Sequence, residues 1–289
     1  MGAIYRREMK AHFTSGMGYA MIGTFLLVLG LFFWGNNLKG ASSSVGGTLY
    51  SVSVVLVFLL PLLTMRLFAE EQRQKTDQLL FSTPVSVWGI ILGKYFAVVT
   101  VFTCPVLVAC TMPLVLSQFT SGSYPFAENY YAILAFWLMG CVMLAIGAMI
   151  SALTDSQIIA CFATMGCSFM IWLMSSVASI IPTTSIASLV GISLLILLAC
   201  VLIYLFVKNI IIFFTIFVVA EGVLVATFFF YNSVFESLFA NILASVSFFS
   251  RFYEFVNGSF NWGSIVYYVS FIFLFLFLAM QAIQKRRWS

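Results

Sequence analysis

The sequence predicts an all-α polytopic membrane protein with about eight transmembrane helices and both termini on the cytoplasmic side. Composition is the first reason, since 63% of the 289 residues are hydrophobic and only 8% are charged. Soluble proteins average roughly 45–50% apolar and about 25% charged residues, so this chain could not cover a soluble fold with polar surface. The second reason is the length of its apolar runs, because a spanning helix needs about 20 such residues.

Each predicted span is one of these apolar runs. The first is not a cleavable signal peptide, because Trp34, Gly35 and Asn36 follow it in place of a small-residue cleavage site. The joint at Lys208-Asn209 is the weakest boundary. Without a turn there, residues 185–231 would form a broken or re-entrant pair, and the chain would have six or seven spans. The predicted runs are 17–35, 49–68, 90–117, 130–153, 157–181, 185–207, 210–231 and 263–283.

The basic residues orient the predicted spans. If the N-terminus is cytoplasmic, eleven of the 13 lysines and arginines fall on or near the cytoplasmic side. Only Lys39 and Arg251 fall outside, which agrees with the positive-inside rule. The opposite orientation would reverse this asymmetry, so the sequence predicts cytoplasmic termini.

Several kinds of site are missing from the sequence. A single histidine, His12, excludes a His-based metal site and a Ser/His/Asp set, and the six cysteines lie in apolar runs without CxxC spacing. The fragment nearest to a phosphate-binding loop, Gly89 to Tyr95, has three residues between its glycines where the motif needs four. A net charge of +4 without a basic soluble face argues against nucleic-acid binding. We expect no catalytic residue, cofactor or metal site in this chain, so a partner would have to bind any ATP and Mg²⁺.

The first fifteen residues mix apolar and charged side chains. This pattern favours an amphipathic helix on the cytoplasmic leaflet, with its basic residues near lipid phosphates. The alternative is a charged flank that only fixes topology. The residues of the predicted interfacial helix are Ile4, Tyr5, Arg6, Arg7, Glu8, Met9, Lys10 and Phe13.

The longest predicted cytoplasmic stretch, residues 66–88, is also the most charged part of the chain. It begins with good helix formers, and Glu71 and Lys75 have the i,i+4 spacing of a favourable ion pair. Leu79 and Leu80 give it a short apolar end, and Pro84 predicts where the helix stops. A charged helix with an apolar end suits a docking element, and a solvated connector is an equal alternative.

The segment 232–262 is too polar to span the membrane. Apolar residues recur in it at helical spacing, interrupted by Glu236, Asn241 and Ser245. We interpret it as a helix lying on or dipping into the outer leaflet, or as a cap on the bundle. The stripe consists of Phe235, Leu238, Phe239, Ile242, Val246 and Phe249.

Two features inside the predicted spans stand out. Glu221 is the one mid-span acid, and such a residue is a functional-site hypothesis by default. A structural role is favoured over transport, with the side chain either protonated or bonded to Tyr, Ser or Thr on a neighbouring helix. Gly140, Gly147 and Ser151 form a small-residue face on the fourth span, which favours close internal packing over a dimer contact.

Residues 65–97 combine an Arg- and Glu-rich helix, the element T-x-x-L-L-x-S-T-P-V-S and the element I-x-x-G-K. This succession resembles the cytoplasmic loop of type-2 ABC transporter permeases. The stretch 6–20 is similar to the opening of that family, and 248–288 resembles the C-terminus of its gliding-motility-type branch. The residues that carry the loop resemblance are Thr76, Leu79, Leu80, Ser82, Thr83, Pro84, Val85, Ser86, Ile90, Gly93 and Lys94.

The resemblance implies one transmembrane permease domain, 1–289, with a six-helix exporter core and an extra pair of spans in 185–231. It implies a bacterial cytoplasmic membrane protein that pairs with a second permease chain, as homodimer or heterodimer, and with cytoplasmic ABC ATPase subunits. Some members of the branch also engage an extracytoplasmic or membrane accessory protein. Residues 1–15 would be the connecting helix and 66–88 the coupling loop. The implied ATPase-coupling residues are Glu70, Glu71, Gln72, Arg73, Gln74, Lys75, Thr76, Asp77, Leu79, Leu80 and Pro84.

Two other functions stay open at this point. A gradient-driven secondary transporter would use Glu221. An intramembrane enzyme ranks lowest, because such chemistry needs clustered acids, histidines or metal ligands within the spans.

Overall fold

The computed structural model describes residues 1–14, 16–75, 86–120, 123–207, 210–230 and 235–288. Regular structure in these ranges is helical throughout. This agrees with the physics of a bilayer, where a spanning segment must satisfy its backbone hydrogen bonds internally. The helices are α1 Gly2–Thr14, α2 Met17–Phe33, α3 Val45–Thr64, α4 Ala69–Arg73, α5 Val87–Ala109, α6 Met112–Ser117, α7 Phe126–Leu153, α8 Gln157–Ile180, α9 Ser185–Val207, α10 Ile210–Phe230, α11 Leu238–Val246, α12 Phe248–Val256 and α13 Trp262–Trp288.

Within the described residues, seven helical stretches are long and apolar enough to cross a membrane. They contain α2, α3, α5, α7, α8, α10 and α13, which confirms the polytopic helical class. The remaining predicted run, 185–207, forms α9, whose described apolar part, Ser185–Leu197, is shorter than the others. The predicted joint at Lys208-Asn209 lies outside the described residues. An eighth span and the orientation of the termini therefore stay predictions.

The chain forms two compact units, and each is described by itself. The first contains Met1–Met170 and Arg251–Ser289. Its centre is α7, which packs against α3, α5 and α13 and is buried along most of its length. Helix α2 packs on α3 and α5, and α1 packs on α5 and α2. The second unit is Ile171–Ser250, in which α9 packs against α10 and α11.

The small residues of α7 allow neighbouring helices to approach it closely. A Cβ atom added to Gly140 would lie 2.3 Å from the ring of Phe102 on α5. A Cβ atom on Gly147 would lie 2.1 Å from Thr64 Oγ1 on α3. Both glycines are therefore internal contacts of the first unit, which confirms the predicted packing role of this face.

The predicted apolar stripe at 235–249 does not form one helix. Its described residues form α11 and α12, which are separated by Ser247 in an extended conformation (ψ 114°). The buried residue of α11 is Leu243, which is not part of the stripe, while Ile242 and Val246 are exposed. Within the second unit, Phe239 lies against Gly191 of α9, where a Cβ atom would come within 2.4 Å of its ring. Phe239 is thus the stripe residue that contacts α9 within this unit.

The contact at Gly147 predicts that two glycine-to-alanine substitutions differ strongly in their effect on stability. Gly147→Ala should lower the free energy of unfolding of the detergent-solubilised protein by about 1–3 kcal/mol, and with it the melting temperature. The reason is that Thr64 cannot move out of its buried position without strain. Gly166→Ala on α8 is the matched control, since no atom lies within 4 Å of its added Cβ. Equal melting temperatures for the two variants would contradict the close approach of α3 and α7.

Candidate functional site

One face of helix α1 packs against the rest of the first unit, mainly against α5 and α2. Its half-buried residues recur at helical spacing, and Arg6, Arg7 and Lys10 are exposed on the remaining surface. The predicted helix at 1–15 is thus present and two-faced, while its position at a membrane surface stays a prediction. The half-buried residues are Ile4, Tyr5, Glu8, Met9, His12 and Phe13.

Gly93 sets how closely α1 approaches α5. A Cβ atom at this position would lie 3.2 Å from Ile4 Cγ2 and 3.3 Å from the Met1 carbonyl oxygen. Further along α5, the Tyr5 hydroxyl and Thr100 Oγ1 form a 3.0 Å hydrogen bond. The missing side chain at Gly93 therefore brings the charged residues of α1 within reach of the next residue, Lys94.

The connection after α3 is fixed to the end of α7 by Ser151. The Phe68 and Ala69 backbone N–H groups donate to Ser151 Oγ at 3.1 and 3.2 Å. One turn along, Gln72 Nε2 donates to the Ala152 carbonyl oxygen at 3.0 Å. The N–H groups at a helix start have no partner inside the helix, so Ser151 supplies the missing acceptor for α4.

Four charged side chains meet where α1, α4 and α5 converge; we call Arg7, Glu8, Glu71 and Lys94 the ion cluster. Arg7 Nη2 lies 2.8 Å from Glu8 Oε1 and 2.6 Å from Glu71 Oε1. Lys94 Nζ lies 3.1 and 3.0 Å from the same two oxygens. Positive and negative groups alternate around this ring, so each carboxylate bridges the two cations.

Lys94 is the buried member of the ion cluster, with 2% of its side chain exposed, whereas Arg7 is 52% exposed. Besides its two carboxylates, Lys94 Nζ donates to the Leu67 carbonyl oxygen at 2.8 Å. An ammonium group has three donors, and three acceptors lie within reach here. The ring of Phe68, with its centroid 5.5 Å away, adds a cation–π contact.

The ion cluster favours the charged forms of Glu8 and Arg7. Burial of Glu8 opposes its ionisation, but the charge of Lys94 and the hydrogen bonds from Arg7 and Lys94 outweigh burial and lower the pKa of Glu8. The hydrogen bond to Glu8 raises the pKa of Arg7 against a smaller opposing effect of burial. The cluster pairs two basic with two acidic side chains, so their formal charges cancel.

The predicted Glu71–Lys75 helix pair is wrong. Helix α4 ends at Arg73, and Lys75 has a left-handed backbone (φ 56°), so the two side chains do not share a helix face. Glu71 is instead held by Arg7 and Lys94, and Lys94 is the more buried partner. An exposed i,i+4 pair contributes only about 0.2–0.5 kcal/mol, so the tertiary ion cluster determines where Glu71 points.

The remaining coupling residues differ in exposure. Glu70 and Gln72 are half-buried, whereas Arg73, Gln74 and Lys75 are exposed. The predicted coupling residues Thr76, Asp77, Leu79, Leu80 and Pro84 lie outside the described residues. The described part of the loop is thus a short anchored helix followed by an exposed polar turn.

Glu221 lies on α10, in the second unit. Its Oε1 atom is buried and has no hydrogen-bond partner among the described residues. The expected bond to Tyr, Ser or Thr is therefore not formed by this oxygen. No group of three or more His, Cys, Asp or Glu suited to a metal ion occurs in the described part of the chain.

From the sequence, Lys94 is recognised only as part of the I-x-x-G-K element, and Ser151 only as a small packing residue. Lys94 could have been found, because it is a single cation seven residues inside the helix that starts at Val87, close to an apolar run. A buried lysine requires anionic partners, and Glu8 and Glu71 were among the few acids on the same predicted side of the membrane. Nothing local to Ser151 indicates that it accepts hydrogen bonds from a segment 82 residues away.

The family described as "ABC-2 family transporter protein" matches residues 3–187. The match covers more than half of the chain and includes α1 to α8, so all four residues of the ion cluster lie within it. No curated protein matches the chain in a direct sequence comparison.

Removing the buried cation should destabilise the first unit. We expect Lys94→Met to lower the free energy of unfolding by about 3–5 kcal/mol, since it leaves Glu8 and Glu71 without their buried partner. Adding Glu8→Gln and Glu71→Gln should restore most of the loss. Thermal unfolding in detergent measures both effects, with the exposed Lys39→Met as control. Failure of the added substitutions to rescue Lys94→Met would contradict the ion cluster.

Stability should also fall in mild acid because of His12. Burial, with the charges of Lys94 and Arg66, lowers the pKa of His12 below 6.5 despite the opposing charge of Glu8. The unfolded chain then binds a proton before the folded chain does, so stability decreases as pH falls below about 6.5. The melting temperature should therefore be lower at about pH 5.5 than at about pH 7.5. The decrease should be smaller in His12→Gln, and an equal decrease in both proteins would contradict this assignment.

Proposed function

The chain belongs to the ABC-2 family of transporter proteins, and on that premise we propose that it couples ATP hydrolysis by a separate cytoplasmic ATPase to movement across the membrane. Its family and its apolar helices make it an integral multi-pass membrane permease. In this proposal the movement is export, and the loop between α3 and α5 couples the chain to the ATPase. The cargo is a substrate or a conformational change passed to another protein.

The ion cluster is the observation that carries this proposal. It binds the loop between α3 and α5 to α1 through the Arg7–Glu71 pair and to α5 through the Lys94–Glu71 pair. Ser151 binds the same loop to the end of the central helix α7. A protein that pushed on the exposed turn at 73–75 would therefore move three helices of the first unit together. A loop without these contacts would absorb the displacement in its own backbone.

The exposed turn has the charge expected of a docking surface. Arg73 and Lys75 are exposed and have no ion pair among the described residues. Glu71, two residues earlier, is neutralised inside the ion cluster. The accessible charge of the turn is therefore positive, which would favour an acidic groove on the ATPase.

The wider assembly follows from the resemblance. We propose that the chain lies in a bacterial cytoplasmic membrane with both termini in the cytoplasm. We also propose that it pairs with a second permease chain, as homodimer or heterodimer, and that α9 is a further span beside the seven candidates, which makes eight. The gliding-motility-type branch, with an extracytoplasmic or membrane accessory protein, is supported by the C-terminal stretch 248–288. The partner ATPase would bind the nucleotide and Mg²⁺.

A gradient-driven transporter is the second candidate, and one observation favours it. Glu221 Oε1 is buried on an apolar helix and has no hydrogen-bond partner among the described residues. Leaving such a group unsatisfied costs roughly 1–3 kcal/mol or more, so a function could explain its retention. This candidate uses a different unit of the chain from the ion cluster and can be tested separately.

The proposed function predicts that charge reversal at Arg73 releases the ATPase. The tagged chain would be purified in mild detergent from its native membrane, and bound proteins identified by mass. We expect a cytoplasmic ATPase to be recovered in stoichiometric amount with the tagged chain. Arg73→Glu should reduce the amount of recovered ATPase on the order of tenfold, equivalent to about 1.4 kcal/mol of binding free energy. Leu79→Asp with Leu80→Asp should uncouple the chain in the same way.

Lys39→Glu is the matched control for Arg73→Glu. Both residues are exposed and basic, but the predicted topology places them on opposite sides of the membrane. Equal loss in both variants, or a chain that moves its cargo without an ATPase, would contradict the proposal. Loss of gradient-driven activity in Glu221→Gln, with Arg73→Glu unaffected, would establish the second candidate in its place.

A further inference from the structure

The outward face of α1 carries a surface depression with two basic residues, Arg6 and Lys10, that lie outside the ion cluster. Gly2, Ala3, Arg6, Arg7 and Lys10 line a shallow depression of about 600 Å³ on the surface of the helix. Three of these five residues are basic, and none is acidic. Residues four apart on a helix are neighbours, so Arg6 and Lys10 present adjacent positive charges.

The excess positive charge of this face is unbalanced within the described residues. The ion cluster is neutral by itself, since Arg7 and Lys94 balance Glu8 and Glu71. Arg6 and Lys10 have no ion pair in the described part of the chain, and both are exposed. The face therefore carries two uncompensated positive charges beside the half-exposed guanidinium of Arg7.

The chain path keeps this face beside the bilayer. Helix α1 ends at Thr14, and the candidate membrane span begins at Gly18, so only a short connection separates the two. Within that connection, Gly16 has a left-handed backbone (φ 67°) that turns the chain. The rings of Phe13 and Tyr19 meet edge to face with centroids 5.5 Å apart, and Tyr19 is exposed at the start of the span, where aromatic residues mark the interface.

From this geometry we propose that the outward face of α1 binds the headgroup of an anionic phospholipid. Arg6 and Lys10 supply the two free cations, and the first-turn backbone at Gly2 and Ala3 adds the positive end of the helix. Arg7 has five donors and uses one nitrogen for its two carboxylates. Its other donors can face the same phosphate, so the lipid would lie directly beside the ion cluster.

The test uses the delipidated full chain and native mass spectrometry. Titration with phosphatidylglycerol or with phosphatidylcholine gives the apparent Kd of the first bound lipid. We expect tighter binding of phosphatidylglycerol. Each basic residue near a lipid surface contributes about fivefold to binding, so Arg6→Gln with Lys10→Gln should raise this Kd roughly 25-fold. The Kd for phosphatidylcholine should not change.

Arg73→Gln with Lys75→Gln is the matched control, because it removes the same charge from two other exposed residues. An equal loss in this control, or no loss in the α1 variant, would overturn the proposal. Arg6→Lys with Lys10→Arg should keep the binding, and its loss would show that the side chains act through folding and not through charge.

Two further arms separate the lipid from other anions. Displacement of phosphatidylglycerol by millimolar inorganic phosphate would assign the depression to a free anion and overturn the lipid proposal. Loss of the ATPase from Arg6→Gln with Lys10→Gln, with lipid binding intact, would assign the face to an acidic protein. The proposal does not depend on the ATPase, since the lipid would bind the isolated chain.

Discussion

The burial of Lys94 is the constraint on which this end of the molecule depends. A buried ammonium group is strongly disfavoured unless it is paired and hydrogen-bonded. Its three acceptors come from two parts of the chain: Glu8 on α1, and Leu67 and Glu71 in the connection that follows α3. Helix α1 and the segment before α4 must therefore lie where these oxygens reach Nζ. Gly93 makes this arrangement possible, because a side chain there would meet Ile4 and hold α1 away from Lys94.

The helices were predictable because the bilayer imposes one requirement on every span. An apolar run of sufficient length must become a helix, whatever its neighbours are. The ends of the helices depend on contacts that no local pattern contains. Helix α3 begins at Val45 and not at residue 49, and the Val45 N–H group donates at 2.7 Å to Asn129 Oδ1. That acceptor is 84 residues away, so the apolar run alone could not indicate this start.

The candidate site was predictable in its parts and not in its assembly. Charge patterning identified Arg7, Glu8 and Glu71 as residues near one membrane surface, and the local i,i+4 rule then paired Glu71 with Lys75. The rule failed because a buried cation was available to Glu71, and an ionic contact gains strength as water is excluded. Lys94 is 86 residues from Glu8, and only the packing of α1 on α5 brings the two together.

The two attachments of α4 differ in what breaking them would cost. The contact with Ser151 is buried, and its loss would leave two backbone N–H groups without an acceptor. The ion cluster ends at Arg7, which is half exposed, so water or a phosphate can replace Glu71 there at small cost. A small displacement of the loop would therefore move α1, α5 and α7 together, whereas a larger force would separate Glu71 from Arg7 before it broke the contact with Ser151.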